Sequence, residues 1–393
     1  MYLKSLYSGH ANDIARQTLT NKNQDLAKNK KRVNHNGEFI KLLDALKAYG
    51  PRNLSLISIL TGIPRETVRY KVKKQLRDFG FTVQMMPNFY KLGLTRLYAK
   101  ISFTRHGMKI AQKLLHELGI GSYLSYYCKV AFKNDYIAII NPPSKWANKF
   151  SEFFERLASE GIAKDYEVQE IKEVGYPHVS YRLFNFEKGT WSLNEEESRT
   201  SEGVVLQRAS RDEATNYLMD SSDLAIITEL QADAFKPLTK ISEIVNRDPR
   251  LLRYHFQEHV VRKGLIAGYV LSWFPRGVDA PHLSRIWLKT DPLTTQKAIE
   301  FSRITSTSPF CKFYQILEDG TGMVYMLIDR QFTSAVRHLS KLLMEHDIGC
   351  ESMIVDDATA FSLTMEMYKE GYGWLKPKLD DTITMTLHEL ARQ

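Results

Sequence analysis

Cysteine is scarce in this chain: Cys128, Cys311 and Cys350 are the only three among 393 residues. Three thiols build no disulfide framework, and their spacing contains no Cys-x-x-Cys pair for zinc or redox work, so a reducing compartment is expected. Long apolar runs are absent too. None approaches the ~18 residues of a membrane span, and the N-terminus lacks the apolar core of a signal peptide. There is no Walker loop, no Gly-x-Gly-x-x-Gly after a strand and no Gly-x-Ser-x-Gly elbow, so neither a cofactor nor catalysis is expected. These absences point to a soluble, cytoplasmic chain that is no enzyme, with room for two to four domains at roughly 100–200 residues each.

Charge is present but unevenly spread. The net charge is +9, from 54 Lys and Arg against 45 Asp and Glu. Residues 1–200 hold 32 basic and 19 acidic side chains, leaving 22 and 26 for residues 201–393. Residues 1–110 alone hold 21 basic and 6 acidic ones, so the N-terminal end is the part expected to meet an anion.

The chain also repeats itself. A shift of 184 aligns residues 40–81 with 224–265 without a gap. The pairs Leu46/Leu230, Ile57/Ile241, Ser58/Ser242, Arg69/Arg253, Tyr70/Tyr254 and Gly80/Gly264 are identical. A shift of 183 then brings Cys128-Lys129 onto Cys311-Lys312 and Trp191 onto Trp374, which extends the register over most of each copy.

Each copy opens with three helical patterns. In copy one Phe39, Ile40, Leu43 and Leu46 have helical spacing up to the Gly50-Pro51 break, and a short second helix follows over Leu54 to Leu60. Gly62 permits a tight turn, Pro64 suits the first turn of a third helix, and Val68, Val72, Leu76 and Phe79 give that helix a buried stripe. The alternating Phe81 to Met85, like Leu265 to Leu271 in copy two, predicts a strand acting as a wing. A βαββαβ pattern follows. In copy one its strands fall near 96–103, 123–132, 136–141 and 166–174, with helices over 108–118 and 144–160. In copy two they fall near 284–289, 312–317, 323–328 and 351–355, with helices over 294–305 and 332–346. The expected fold class is therefore α+β: two winged helix-turn-helix domains alternating with two ferredoxin-like βαββαβ domains. The expected divisions are a basic flexible arm over 1–37, winged helices over 38–92 and 222–277, and ferredoxin-like domains over 93–190 and 278–393, the last with a C-terminal extension. A polar linker containing Glu195-Glu196-Glu197 is expected over 191–221.

Lys263-Gly264-Leu265-Ile266-Ala267-Gly268-Tyr269 resembles the helix-to-wing stretch of the Lrp/AsnC family of transcription regulators, of which copy one keeps Gly80. Asn134-Asp135-Tyr136-Ile137 is similar to the family's turn between the two central strands, although Lys133 and Asn134 stand where glycine is usual. The resemblance extends over residues 38–370. It implies dimerisation through the sheet domains, here reproduced inside one chain as a pseudo-dimer, and a small-molecule effector near the turn holding Asp135 or the one spanning Asp319 to Gly322.

The residues expected to meet double-stranded DNA lie on the third helix of each copy. In copy one they are Arg65, Thr67, Arg69, Tyr70, Lys71, Lys73, Lys74 and Arg77, opposed only by Glu66 and Asp78. Arginine can pair with guanine in the major groove and lysine neutralises phosphate, which is why a helix basic on one face and apolar on the other suits a duplex. In copy two they are Arg250, Arg253, Tyr254 and His255, diluted by Asp248 and Glu258. Tyr70 and Tyr254 could equally pack against the wing. Lys22, Lys28, Lys30, Lys31 and Arg32 form an arm that could follow phosphates or simply be a solvated tail.

His255-Phe256-Gln257-Glu258-His259 matches the His-x-x-Glu-His zinc-protease signature. It falls on the equivalent of Lys71 to Gln75 with no third ligand apparent, so polar residues on a DNA-facing helix are expected instead and no metal is assigned. Cys128 and Cys311 could meet across the pseudo-dyad as a redox pair or serve as small buried hydrophobes. The expected function is a sequence-preferring, chromosome-associated transcription regulator. An architectural chromatin protein, or a module docking on the transcription machinery, remains open beside it, as does further homo-oligomerisation.

Overall fold

The computed structural model describes residues 37–178, 181, 184–185, 190–191, 204–209, 218–273, 283–308, 310–329 and 334–390. The expected basic arm, apart from Gly37, and Glu195 to Glu197 lie outside the described residues. Helix α1 spans Gly37–Tyr49 and α2 spans Leu54–Thr61. Asn53 caps α2 by accepting from the Leu56 amide, and Gly62 ends it in the left-handed region at φ 71°. The repeat-equivalent residue, Asn246, adopts φ 50°, one of the few non-glycine residues to do so. Both copies thus make the same sharp turn into a third helix. In copy one this is α3, which runs from Arg65–Tyr70 through a π-helical turn, Lys71–Gln75, to Leu76–Asp78.

Strand β1 (Phe81–Pro87) follows, then β2 (Leu97–Phe103), α4 (Ala111–Gly121), β3 (Leu124–Val130), β4 (Asp135–Ile140), α5 (Asn148–Ser159) and the long β5 (Ala163–Pro177). Two short strands, β6 (Phe184–Asn185) and β7 (Thr190–Trp191), and then β8 (Val204–Arg208) lead into copy two. There α6 (Ser221–Ala232), α7 (Leu238–Ile244) and α8 (Pro249–Tyr254, continued by a π-helical turn His255–Val261) precede β9 (Ile266–Trp273). Strand β10 (Leu283–Pro292), α9 (Thr295–Thr307), β11 (Cys311–Leu317), β12 (Thr321–Asp329), α10 (Ser334–Glu345) and β13 (Cys350–Ala360) complete the second βαββαβ order. The last element among the described residues is α11 (Leu379–Leu390).

The two βαββαβ units share one antiparallel sheet. Its order is β11-β12-β10-β13-β3-β4-β2-β5, with β11 also paired to β5, so eight strands close on themselves and β8 is appended to β5. The seams are equivalent: Val355 faces Val130 where β13 meets β3, and Gln315 faces Val174 where β11 meets β5. Side chains alternate across the pleat. Tyr98, Cys128, Ile137, Val174, Trp287, Leu317, Tyr325 and Met353, one from each of the eight strands, form a single cluster inside the ring. On the outside, α4 and α5 cover copy one's strands with Leu114, Leu118, Phe150, Phe154 and Leu157, while α9 and α10 cover copy two's with Phe301, Ile304, Leu339 and Leu343. Each such fully buried side chain contributes roughly 1.5–3 kcal/mol, and truncation of Phe154 to alanine would cost about 3–5 kcal/mol.

Several sequence expectations change here. The two strands expected as separate wings pair with each other: β1 and β9 run antiparallel from Phe81↔Trp273 onward. A lone strand leaves its backbone groups unpaired, and the other copy supplies the partner. Met85 faces Tyr269 in this ribbon, and those residues are separated by the repeat offset of 184, so a local twofold axis passes between them. Phe81 stacks on Trp273 at 4.8 Å, and the Trp273 indole donates to the Phe79 carbonyl. The stretch expected as a polar linker contains β8, whose Gln207 pairs with Val174. The C-terminal extension packs on copy one, with Leu379 and Ile383 of α11 in copy one's core and Arg156 paired to Asp380 at 3.6 Å. Among the described residues no helix is long and apolar enough to cross a membrane.

Candidate nucleic-acid interface

Helix α3 buries Val68, Val72 and Leu76 and turns Arg65, Thr67, Arg69, Tyr70, Lys73, Lys74 and Arg77 to solvent. Arg69 is held by Glu66 at 3.0 Å, and the Lys74 ammonium lies 5.8 Å from the centre of the Tyr70 ring. Arg77 reaches Asp233 of copy two at 3.5 Å. These are exposed pairs of small energetic weight, so the guanidinium and ammonium groups can be redirected to phosphate at little cost. Arg52, at the start of α2, is different in kind. It donates to the Lys236 carbonyl at 2.8 Å and lies over Phe256, which locks the two helical units together.

Lys71 corrects the sequence expectation: it is buried, facing Glu38 of α1 at 3.6 Å rather than the solvent. It lies three residues beyond Val68 and next to Val72, within the i, i+3, i+4 stripe of an inward helix face. In copy two Arg250, Arg253 and Tyr254 are exposed on α8 as expected. His255 is not. It is the repeat-equivalent of Lys71 and is equally buried, its Nδ1 3.0 Å from Asp223 Oδ1. Tyr254 stacks edge-on against His259 at 5.5 Å between centroids, so it packs along its own helix. Glu258 and Arg262 pair with each other at 2.8 Å.

Asp220 and Asp223, which the linear reading did not single out, frame the start of α6 as a capping box. Asp220 Oδ1 accepts from the Ser222 and Asp223 amides at 2.8 and 2.9 Å. The signal was there in Asp220-Ser221-Ser222-Asp223 before an apolar run, but it straddled the expected boundary between linker and winged helix at 221/222. Asp135 and Asp319, the expected effector aspartates, each serve their own surroundings: Asp135 accepts from the Ser102 hydroxyl at 2.8 Å and Asp319 from the Thr321 amide at 2.8 Å. Cys128 and Cys311 do not meet. Cys128 is inside the ring, and Cys311 belongs to the outer core under α9 and α10. Burial pushes the Cys128 thiol up to about 12 and the Cys311 thiol up as well, opposite to what a reactive pair needs.

No family model and no curated protein matches the chain. Among solved structures it is similar to the siroheme decarboxylase NirDL, with a TM-score of 0.54 at 9% identity, over 90% of this chain and 100% of that one. NirDL in co-complex with an iron-uroporphyrin III analogue matches with a TM-score of 0.50 at 9% identity, over 91% and 99% of the two chains. A putative monooxygenase from Lactobacillus acidophilus NCFM reaches a TM-score of only 0.31 at 9% identity, over 69% of this chain and 98% of its own, too low to bear on the fold. At such identities the likeness is one of fold. It nevertheless corrects the expectation that the chain is no enzyme, because an architecture that runs the whole length of a decarboxylase gives no ground for excluding catalysis. The chain is an α+β protein with a large antiparallel sheet, and it shares that fold with siroheme decarboxylase NirDL.

Proposed function

We propose that the chain is a tandem of two winged helix-turn-helix and two ferredoxin-like domains of Lrp/AsnC type, and that it binds double-stranded DNA chiefly through α3. The observation that carries this reading is the outward basic face of α3: Arg65, Arg69, Lys73, Lys74 and Arg77 are all exposed on a helix whose opposite stripe is buried. Helix α8 keeps only Arg250, Arg253, Arg262 and Lys263 facing outward, so it is the weaker reader. Selection from a random duplex pool at two salt concentrations, followed by sequencing, tests the reading. Enrichment of a motif that is lost in Arg69→Ala/Lys73→Ala supports a regulator. Salt-sensitive binding without enrichment supports an architectural chromatin protein, and no binding removes both.

An enzymatic reading is favoured by a different observation. Inside the ring, both amide atoms of fully buried Gln315 and the hydroxyl of fully buried Tyr98 have no hydrogen-bond partner among the described residues. Leaving a buried polar group unpaired costs about 1–3 kcal/mol, which a bound water or small polar group of a ligand would offset. The ligand class suggested by the NirDL likeness is an iron tetrapyrrole. Titration with iron-uroporphyrin III, followed by visible absorbance, tests it: a spectral shift that weakens in Gln315→Leu supports this reading, and an unchanged spectrum removes it.

A further inference from the structure

We propose that Asp220, Asp223, His255 and His259 form a binding site for a divalent transition-metal ion of zinc type, clamping the start of α6 to the π-helical turn of α8. One ligand atom from each of the four side chains lies within 4.8 Å of the others. The closer edges are 3.0 Å from His255 Nδ1 to Asp223 Oδ1, 3.2 Å from His259 Nδ1 to the same oxygen, and 3.3 Å from His255 Nδ1 to Asp220 Oδ2. Zinc held at about 2.0–2.2 Å by nitrogen and oxygen ligands sets donor-to-donor edges of roughly 3.3–3.6 Å, so the three closer edges need open by only a few tenths of an ångström, while the widest, up to 4.8 Å, must draw in by about 1 Å to enclose an ion. Asp220 divides its carboxylate between two tasks. Its Oδ1 caps α6 through the Ser222 and Asp223 amides, and its Oδ2 is the oxygen turned toward His255.

Charge points the same way. The Asp223 side chain has no exposure to solvent and sits beside a second carboxylate, a combination that is costly unless positive charge is close. The repeat supplies an independent observation. The equivalent of His255 in copy one is Lys71, whose buried ammonium lies 3.6 Å from Glu38 on the first helix. The equivalent of His259 is Gln75. Copy one therefore places its own fixed cation between first and third helices, and copy two replaces lysine and glutamine there with two imidazoles that face two carboxylates. Nitrogen and carboxylate oxygen together suit zinc and its neighbours better than calcium or magnesium. Glu258 of the His-x-x-Glu-His stretch is paired to Arg262 instead of joining the cluster, so the site fits a clamp and not the protease chemistry that the motif suggests. Asp220 and His259 are partly open to solvent, which gives the ion a way in.

The inference does not rest on the DNA reading and is tested without DNA. Full-length protein stripped by a chelator is titrated with zinc chloride by calorimetry and with cobalt chloride by visible absorbance, and its thermal unfolding is followed with and without zinc. The expected result is about one zinc per chain, cobalt bands of a low-symmetry site, and a zinc-dependent rise in Tm. Asp220→Asn keeps a good helix cap, and His259→Gln installs the residue of copy one, so both are expected to fold. Each should weaken zinc by about tenfold or more. His255→Lys should abolish the zinc response while preserving the metal-free Tm. No heat and no Tm shift with zinc would reduce the cluster to a hydrogen-bonded Asp–His network and overturn the proposal. Zinc binding left unchanged in all three variants would overturn it as well, by placing the ion elsewhere.

Discussion

Lys71 and His255 occupy one position of the repeat, and their burial separates residues that hold the third helix in place from residues free to reach a partner. Because Glu38 is largely exposed, the Lys71 pair adds little by itself, and most of its value is the packing of its methylene stem. Lys71→Ala should therefore destabilise the fold by about 1–2 kcal/mol in urea melts, with DNA affinity changed far less than by Arg69→Ala. Arg69→Ala should do the reverse. A second residue with a defined consequence is His178, buried beside Lys47, its Nδ1 accepting from the Leu271 amide of β9 at 3.1 Å. Burial first, and the charge of Lys47 second, push it down to about 4 from an ordinary 6.5. The folded state then favours the neutral ring, so the unfolded chain binds more protons between these values. Stability is full above pH 6.5 and falls as pH drops toward 4, by up to about 3 kcal/mol. Denaturant melts across that window check this, and His178→Gln, which keeps an acceptor, should flatten the profile.

At the scale of elements, the ring depends on two seams that close it. At the β5–β11 seam Gly175 faces Tyr314, and a Cβ built there would stand 2.2 Å from the tyrosine ring. Gly175→Val should thus cost about 1–3 kcal/mol and lower Tm, while an exposed substitution such as Lys164→Ala should leave Tm nearly unchanged. Much of the element order was legible in the sequence because helices and strands announce themselves by period. Val68, Val72 and Leu76 mark α3, and the alternating Phe81 to Met85 marks β1. Partners of strands were not legible. Nothing local in Phe81 to Pro87 says that it pairs with Ile266 to Trp273, nor that Val204 to Arg208 would leave a polar stretch to join β5, because pairing is decided by long-range backbone satisfaction. The site was half legible for a similar reason. The exposed arginines follow from helical spacing, and the inward position of Lys71 followed from the same spacing once counted from Val68. The approach of Asp220 and Asp223 to His255 joins residues about thirty positions apart, beyond the reach of any motif.

At the scale of the whole molecule, duplication produces a closed body in which each of the eight ring strands pairs with two others of the ring, and β8 is left at the edge of that sheet. An open edge would invite pairing with another chain, and the second copy removes it from the ring. The copies are related by a local twofold at Met85 and Tyr269, yet their charges differ, with the basic excess on the first half. On the proposed DNA-binding reading, such an asymmetric pair would meet two unlike half-sites, with a strong contact through α3 and a weaker one through α8, which identical subunits cannot arrange. The most direct test is the salt dependence of duplex binding, measured by fluorescence anisotropy for the wild type and for Arg65→Ala/Arg69→Ala/Lys73→Ala. Each phosphate contact contributes about 0.9 to the slope of log affinity against log salt, so the triple variant should lose roughly 2–3 from that slope together with most of its affinity. Equal slopes and affinities in the two proteins would contradict the assignment of α3 as the DNA-binding element.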